Sequence, residues 1–297
     1  MKTFKAELVL NAGAELAEGP LWSEDEQKLF WVNINAGELH RFDPTTGSDE
    51  TFSCGEPVGT VALRKDGGLV GALKSGIYLL DFEGGSIKKR KLADPEPGTP
   101  NRFNDGKCDP AGRLLAGTCY TPLPDGGRID GGFYSIEAED SCQILLNGVS
   151  ISNGLCFRAD HKVLYYIDSL NYAVTAYDYN LSDGSLSNPR TAVTIPRETG
   201  LPDGMTIDEN GNLWIALFKG GKVLCANPES GEILAEVEVP AQKVTCPVFG
   251  GPDFSTLYIT TGWENSTPEE RKNDPLGGAL FAVRPGVKGL PSFRFGK

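Results

Sequence analysis

The sequence predicts an all-β chain folded as a six-bladed β-propeller, and three observations predict it. A unit of three short apolar runs joined by tight turns recurs along the 297 residues. Its copies start near residues 18, 59, 105, 153, 203 and 247, about 41 to 50 apart, which is the length of a four-stranded blade. Most copies open on a polar residue followed by glycine. One such sheet buries too little to stand alone, whereas a ring of them buries each face against a neighbour. A parallel β-helix has a shorter period, and a two-sheet sandwich does not account for so regular a repeat.

The clearest copy runs from Leu201 to Leu224, LPDGMTIDENGNLWIALFKGGKVL. Met205 and Ile207 alternate with polar residues, Asp208 to Asn212 supply turn chemistry, and Leu213 to Leu217 form a second run before the Gly220-Gly221 turn. In chain order the other copies begin at Glu18-Gly19, near Gly59, at Asn104-Asp105-Gly106, at Asn153-Gly154 and about Pro247. The third resumes at Gly132 after a Gly/Pro-rich insertion, and the sixth ends on GGALFAV after a polar excursion from Glu264 to Asp274. Fourth, outermost strands are expected in segments such as Ala192 to Ile195 and Glu236 to Val239. The run Phe4 to Leu10 is expected to complete the last blade beside Ala279 to Val283, closing one domain over residues 1–297.

Composition narrows the function. A formal net charge of −12 repels nucleic acid and anionic membranes, and no apolar run is long enough to span a bilayer. The N-terminus lacks the apolar core of a signal peptide, so a soluble, cytoplasmic protein is expected. Seven cysteines without CxxC pairs read as reduced, mostly buried thiols.

Equivalent positions on the innermost strands of a propeller meet near its axis. The residues before each opening glycine therefore matter, and Glu18, Asn153 and Asp203 are expected to converge. Two carboxylates and an amide oxygen crowded together need a counter-charge. Their hard oxygen donors favour a divalent cation, calcium first, with magnesium, manganese or zinc also possible. Taken singly, each dipeptide is also an ordinary turn signal, and only the shared register raises it to a site. Asp105 is expected to be a turn residue or a partner behind the ligands. Arg102 and Asn104, read from residue type alone, fit a solvated arginine and a turn asparagine as well as a binding pair.

The blocks EGPLW (18–22), NRFNDGKCDPAGRLLAGT (101–118), ISNGL (151–155), YYIDS (165–169), PDGMTIDENGNLWIA (202–216) and FGGPDFSTLYIT (249–260) span nearly the whole chain. In this order they resemble the regucalcin/gluconolactonase (senescence-marker-protein) family, which includes luciferin-regenerating enzymes and bacterial sugar lactonases. The resemblance implies a six-bladed propeller, metal ligation by Glu18, Asn153 and Asp203, and substrate binding by Arg102 and Asn104. It also implies a second role for Asp203, as general base in the hydrolysis of a small-molecule sugar lactone. One departure stands out: Tyr120, Thr121 and Pro122 occupy the place where animal regucalcins carry an acidic residue.

Other chemistries lack parts. GxSxG does not occur, and the two histidines, His40 and His161, are expected at the surface, which leaves a Ser/His/Asp triad without its base. Cys119 and Cys156 are expected to be packed thiols. Trp22, Trp31, Trp214 and Trp263 are expected in blade packing, with Trp263 near enough to a loop to reach the site. A non-catalytic calcium-binding propeller and a metal-dependent esterase remain the competing readings.

Overall fold

The computed structural model describes residues 1–120, 130–138 and 141–297. It is a six-bladed β-propeller. Blade one is built from Ala17–Ser23, Lys28–Asn33, Glu38–Asp43 and Ser48–Ser53, each strand antiparallel to the next. The innermost strands of blades two to six are Val58–Leu63, Asn101–Cys108, Ser152–Phe157, Leu201–Ile207 and Val244–Gly250.

The core is a set of six wedges, one between each pair of neighbouring blades. Along the second strand of blade five, Trp214 and Ala216 pack toward Val244 and Phe249 of blade six. Leu213, Ile215 and Leu217 pack toward Met205 of their own blade and toward Val163 and Tyr165 of blade four. Alternate residues of a strand point to opposite faces, and here both faces are buried. An unbroken apolar run such as LWIAL is the consequence.

The expected turn dipeptides lie inside strands. Every innermost strand slips its register against its neighbour near the start of the repeat: between Glu18 and Leu21, Val58 and Thr60, Phe103 and Gly106, Ser152 and Leu155, Pro202 and Met205, and Val244 and Pro247. Such a bulge leaves residues unpaired and re-aims their side chains. Asp105 is accordingly a buried strand residue and not a turn. The glycines at 59, 154 and 204 have a separate cause, which is the close approach of the next blade. A Cβ on Gly154 would lie 2.5 Å from the Met205 backbone nitrogen, and one on Gly204 would lie 2.3 Å from Cys246 Sγ.

Ring closure differs from expectation by one element. Glu7–Leu10 does form the outer strand of blade six, pairing antiparallel with Leu280–Val283. Phe4 does not belong there: Lys2–Lys5 runs parallel to the outer strand of blade five, Ile233–Glu238. The N-terminal segment thus stitches the last two blades together.

The C-terminal residues 284–297 form a strap across the ends of the inner strands. Glu209 N donates to Lys288 O at 2.8 Å, Gly289 N to Phe254 O at 3.0 Å, Phe295 N to Leu63 O at 2.8 Å and Gly296 N to Gly112 O at 2.9 Å. Arg294 pairs with Asp25 at 2.7 Å, and Phe293 packs edge-on against His161. These contacts touch all six blades. Beneath the strap an axial cavity of about 90 Å³ is lined by Asp105, Lys107, Cys108, Cys156, Cys246 and Phe293 among others. The site residues lie at the other end of the inner strands.

All seven cysteines are reduced thiols, and Cys142 alone is exposed. His40 is buried, contrary to expectation: it stacks on Trp31 with ring centroids 3.7 Å apart, and its Nδ1 lies 2.7 Å from Asp49 Oδ2. No helix among the described residues is long and apolar enough to cross a membrane.

Candidate functional site

A cavity of about 590 Å³ opens at the end of the propeller opposite the strap, and Glu18, Asn153, Asp203, Arg102 and Asn104 all line it. The bulges on four inner strands bring together residues up to 185 positions apart, Glu18 and Asp203. All five side chains are buried within the protein.

A chain of hydrogen bonds fixes the polar wall. Arg102 Nη1 donates to Asn104 Oδ1 at 2.6 Å, and Asn104 Nδ2 donates to Asn153 Oδ1 at 3.0 Å and to Ser152 O at 2.8 Å. Asn153 Nδ2 donates to Ser169 Oγ at 2.8 Å, and Ser169 Oγ–H donates to Pro202 O at 2.7 Å, next to Asp203. Blades three, four and five are therefore tied together through the site itself. A carbonyl oxygen has two lone pairs, so Asn153 Oδ1 retains one for a ligand.

The carboxyls are under electrostatic stress. Burial, and then the charge of Asp105, push Glu18 up to about 8, despite the Gly19 N–H that donates to its Oε2 at 2.7 Å. Burial, and then the charges of Glu18 and Asp105, hold Asp203 well above the usual carboxylate range. The Glu18 and Asp203 carboxyls are close enough for one to hydrogen-bond the other when it carries a proton. Asp105 is raised by burial; its Oδ1 accepts from Gly106 N at 2.7 Å, and its buried Oδ2 has no partner among the described residues.

Two of these buried carboxyls, Glu18 and Asp203, line the site cavity, whereas Asp105 lines the axial cavity and has Lys107 as its main compensating charge. Arg102 is the one cationic side chain that lowers Glu18 among its principal influences, and it is the weakest of them. Glu18, Asp203 and Asn153 offer only oxygen at the cavity, two carboxyls and an amide, a set that could hold a hard divalent cation. No cluster of three or more His, Cys, Asp or Glu side chains placed to hold a metal occurs among the described residues.

Several groups at the site carry little sequence signal. Ser169 closes the polar chain from the end of YYIDS. Tyr172, Arg197 and Lys219 line the mouth, and Glu264 and Asn265 enter from the polar excursion of blade six. The helix of that excursion, Pro268–Asn273, is not part of the lining. Trp263 does not line the cavity either: its Nε1 donates to Asp274 O at 2.9 Å and its ring packs against Arg271. Tyr120 is at the wall, whereas Thr121 and Pro122 lie outside the described residues. Burial pushes the Cys156 thiol up to about 12, which removes it as a nucleophile at neutral pH.

Comparison with known proteins agrees with this architecture. Residues 16–262 match the model of the SMP-30/Gluconolactonase/LRE-like region. Regucalcin of Xenopus laevis is 38% identical over 298 residues, covering 99% of each chain. A solved luciferin-regenerating enzyme superposes with a TM-score of 0.91 at 30% identity, over 98% of this chain and 99% of the other. The structure of a calcium-binding protein, regucalcin, from Agrobacterium tumefaciens superposes with a TM-score of 0.92 at 25% identity, over 99% of both chains.

Proposed function

Since the chain belongs to the SMP-30/gluconolactonase/LRE-like family, we propose that it hydrolyses a sugar lactone, an aldonolactone, to the aldonic acid with the help of one divalent cation, calcium foremost. The observation that carries this reading is that two buried carboxyls, two amides and a guanidinium converge on one cavity. Glu18, Asn153 and Asp203 would hold the cation. When bound, it supplies a Lewis acid for the ester carbonyl and lowers the pKa of water.

The chain's own residues do the rest. Arg102 and Asn104 bind lactone hydroxyls and orient the ring, and their rigidity follows from the hydrogen bonds that already hold them. Asp203 accepts a proton from the attacking water at its carboxylate. The water oxygen bonds to the carbonyl carbon, the bond from that carbon to the ring oxygen breaks, and the proton passes to the departing alkoxide. No covalent enzyme intermediate is required.

The test is pH-stat hydrolysis of a panel of aldonolactones by chelator-treated protein, with calcium, magnesium, manganese or zinc restored one at a time. Cation-dependent turnover supports the lactonase reading. Turnover no faster than the spontaneous rate for every lactone, with cation bound, sinks it. That second outcome favours a calcium-binding protein without turnover; the Agrobacterium relative is itself described as calcium-binding.

A further inference from the structure

Glu264 stands in the wall of the site cavity, on the excursion between the second and third strands of blade six. The excursion is a built structure. Lys243 Nζ donates to Glu264 O and to Ser266 Oγ, both at 2.6 Å, and Trp263 N donates to Glu15 O at 2.8 Å. A capping box of Thr267 and Glu270 starts the helix that follows.

The carboxylate faces Arg102 without closing on it. Glu264 Oε1 accepts from Asn35 Nδ2 at 3.1 Å and lies 4.0 Å from Arg102 Nη2, which is too long for a hydrogen bond. Oε2 has no hydrogen bond among the described residues. Arg102 spends Nη1 on Phe103 O and Asn104 Oδ1, its buried Nε has no partner among the described residues, and Nη2 is the nitrogen turned to Glu264. A charged donor and a charged acceptor therefore stand side by side at 4.0 Å on the wall of a polar cavity, where a group seated beside them on the cavity side can reach both. A hydroxyl fits both at once, because it accepts from one and donates to the other. An ether, a ketone or a methylene fits one or neither.

We infer that Glu264 and Arg102 together form a hydroxyl-reading pair that makes the site specific for polyhydroxylated lactones over unsubstituted ones. The inference rests on the lactonase reading for its kinetic test, and on binding alone for its second test. Glu264 is a specificity residue here, acting on the substrate's periphery and not on the carbonyl.

The experiment compares the wild type, Glu264→Ala and Glu264→Gln, all cation-loaded, on gluconolactone and on δ-valerolactone, which has the same ring without hydroxyls. Calorimetric titration with 1,5-anhydroglucitol, the pyranose lacking the carbonyl, runs alongside. Losing a charge-assisted hydrogen bond costs about ten- to a hundredfold. Glu264→Ala is expected to lower the preference for gluconolactone over δ-valerolactone by at least about tenfold, through KM, with Glu264→Gln between it and the wild type. Affinity for 1,5-anhydroglucitol should fall in parallel. An equal loss on both lactones, or an unchanged preference, overturns the inference. If the wild type turns over no lactone, the lactonase reading fails by itself and calorimetry decides this one: affinity lost in Glu264→Ala sustains it, and no binding by the wild type, or equal binding by both proteins, overturns it.

Discussion

At the scale of the residue, the proposed reaction puts two demands on the Asp203 carboxyl, holding a cation and taking a proton. Asp203→Ala is therefore expected to lower kcat by about 10²–10⁴-fold and to weaken cation binding as well, read by lactone turnover and by calorimetric titration with calcium. Arg102→Ala should act differently, raising KM about tenfold or more while leaving cation affinity near that of the wild type. Glu18 offers a test without substrate. A carboxyl raised to about 8 binds its proton more tightly in the folded than in the unfolded protein. In chelator-treated protein its contribution to stability is full below the ordinary carboxyl pKa of 4.5 and is lost as pH climbs through about 8. The melting temperature of the metal-free protein should fall across that window, and saturating calcium should flatten the fall. An identical pH profile with and without calcium would remove Glu18 from the ligand set.

At the scale of the element, the recurring unit is an inner strand with a bulge and a glycine, and each part has its own cause. At Gly59, Gly154 and Gly204 the glycine admits the neighbouring blade; the bulge re-aims the preceding side chain. Gly154→Ala puts a Cβ 2.5 Å from the Met205 nitrogen and 2.8 Å from Asp203 O. It should cost about 1–3 kcal/mol and also disturb cation binding, because the clash falls on the backbone that carries Asp203. Gly47 has φ +75° with nothing within 4 Å of an added Cβ, so Gly47→Ala carries backbone strain alone and should leave cation affinity intact. Thermal melts and calcium titrations of the two variants separate these effects. The polar-glycine dipeptides made Glu18, Asn153 and Asp203 legible in the sequence. They also misled, since the same letters signal turns, and whether a chain turns or bulges at Asp105-Gly106 depends on a neighbouring blade that local sequence does not contain. Ser169 and Glu264 were hidden for a related reason: each reaches the site from a connecting segment outside the repeat, where register carries no information. His40 is buried because Trp31 and Asp49 enclose it, partners from neighbouring strands that its own segment does not announce.

At the scale of the whole molecule, a ring of blades has two weak points, its seam and its open ends. The seam was legible because Glu7–Leu10 is an apolar run with no partner in its own neighbourhood, although the parallel pairing of Lys2–Lys5 with blade five was not. The strap was not legible at all. Residues 284–297 have no repeat register, and their role emerges only from backbone hydrogen bonds, an ion pair and a ring contact scattered over all six blades. Phe295 is 7% exposed, and a buried phenylalanine is worth about 1.5–3 kcal/mol. With half-buried Phe293 and the lost backbone bonds, ending the chain after Val283 should cost on the order of 4 kcal/mol and lower the melting temperature by on the order of 10 °C. The strap closes the axial cavity at the end away from the site, so its removal should speed amide exchange in Ile207, Phe157 and Leu63, at the strap end of the inner strands. Exchange at Glu18, Asn153 and Asp203 should change less. If the truncated protein melts where the full chain does, the strap is an ornament on a ring that the N-terminal seam already closes. If it melts lower with uniformly faster exchange in all six inner strands, the strap instead holds the ring shut.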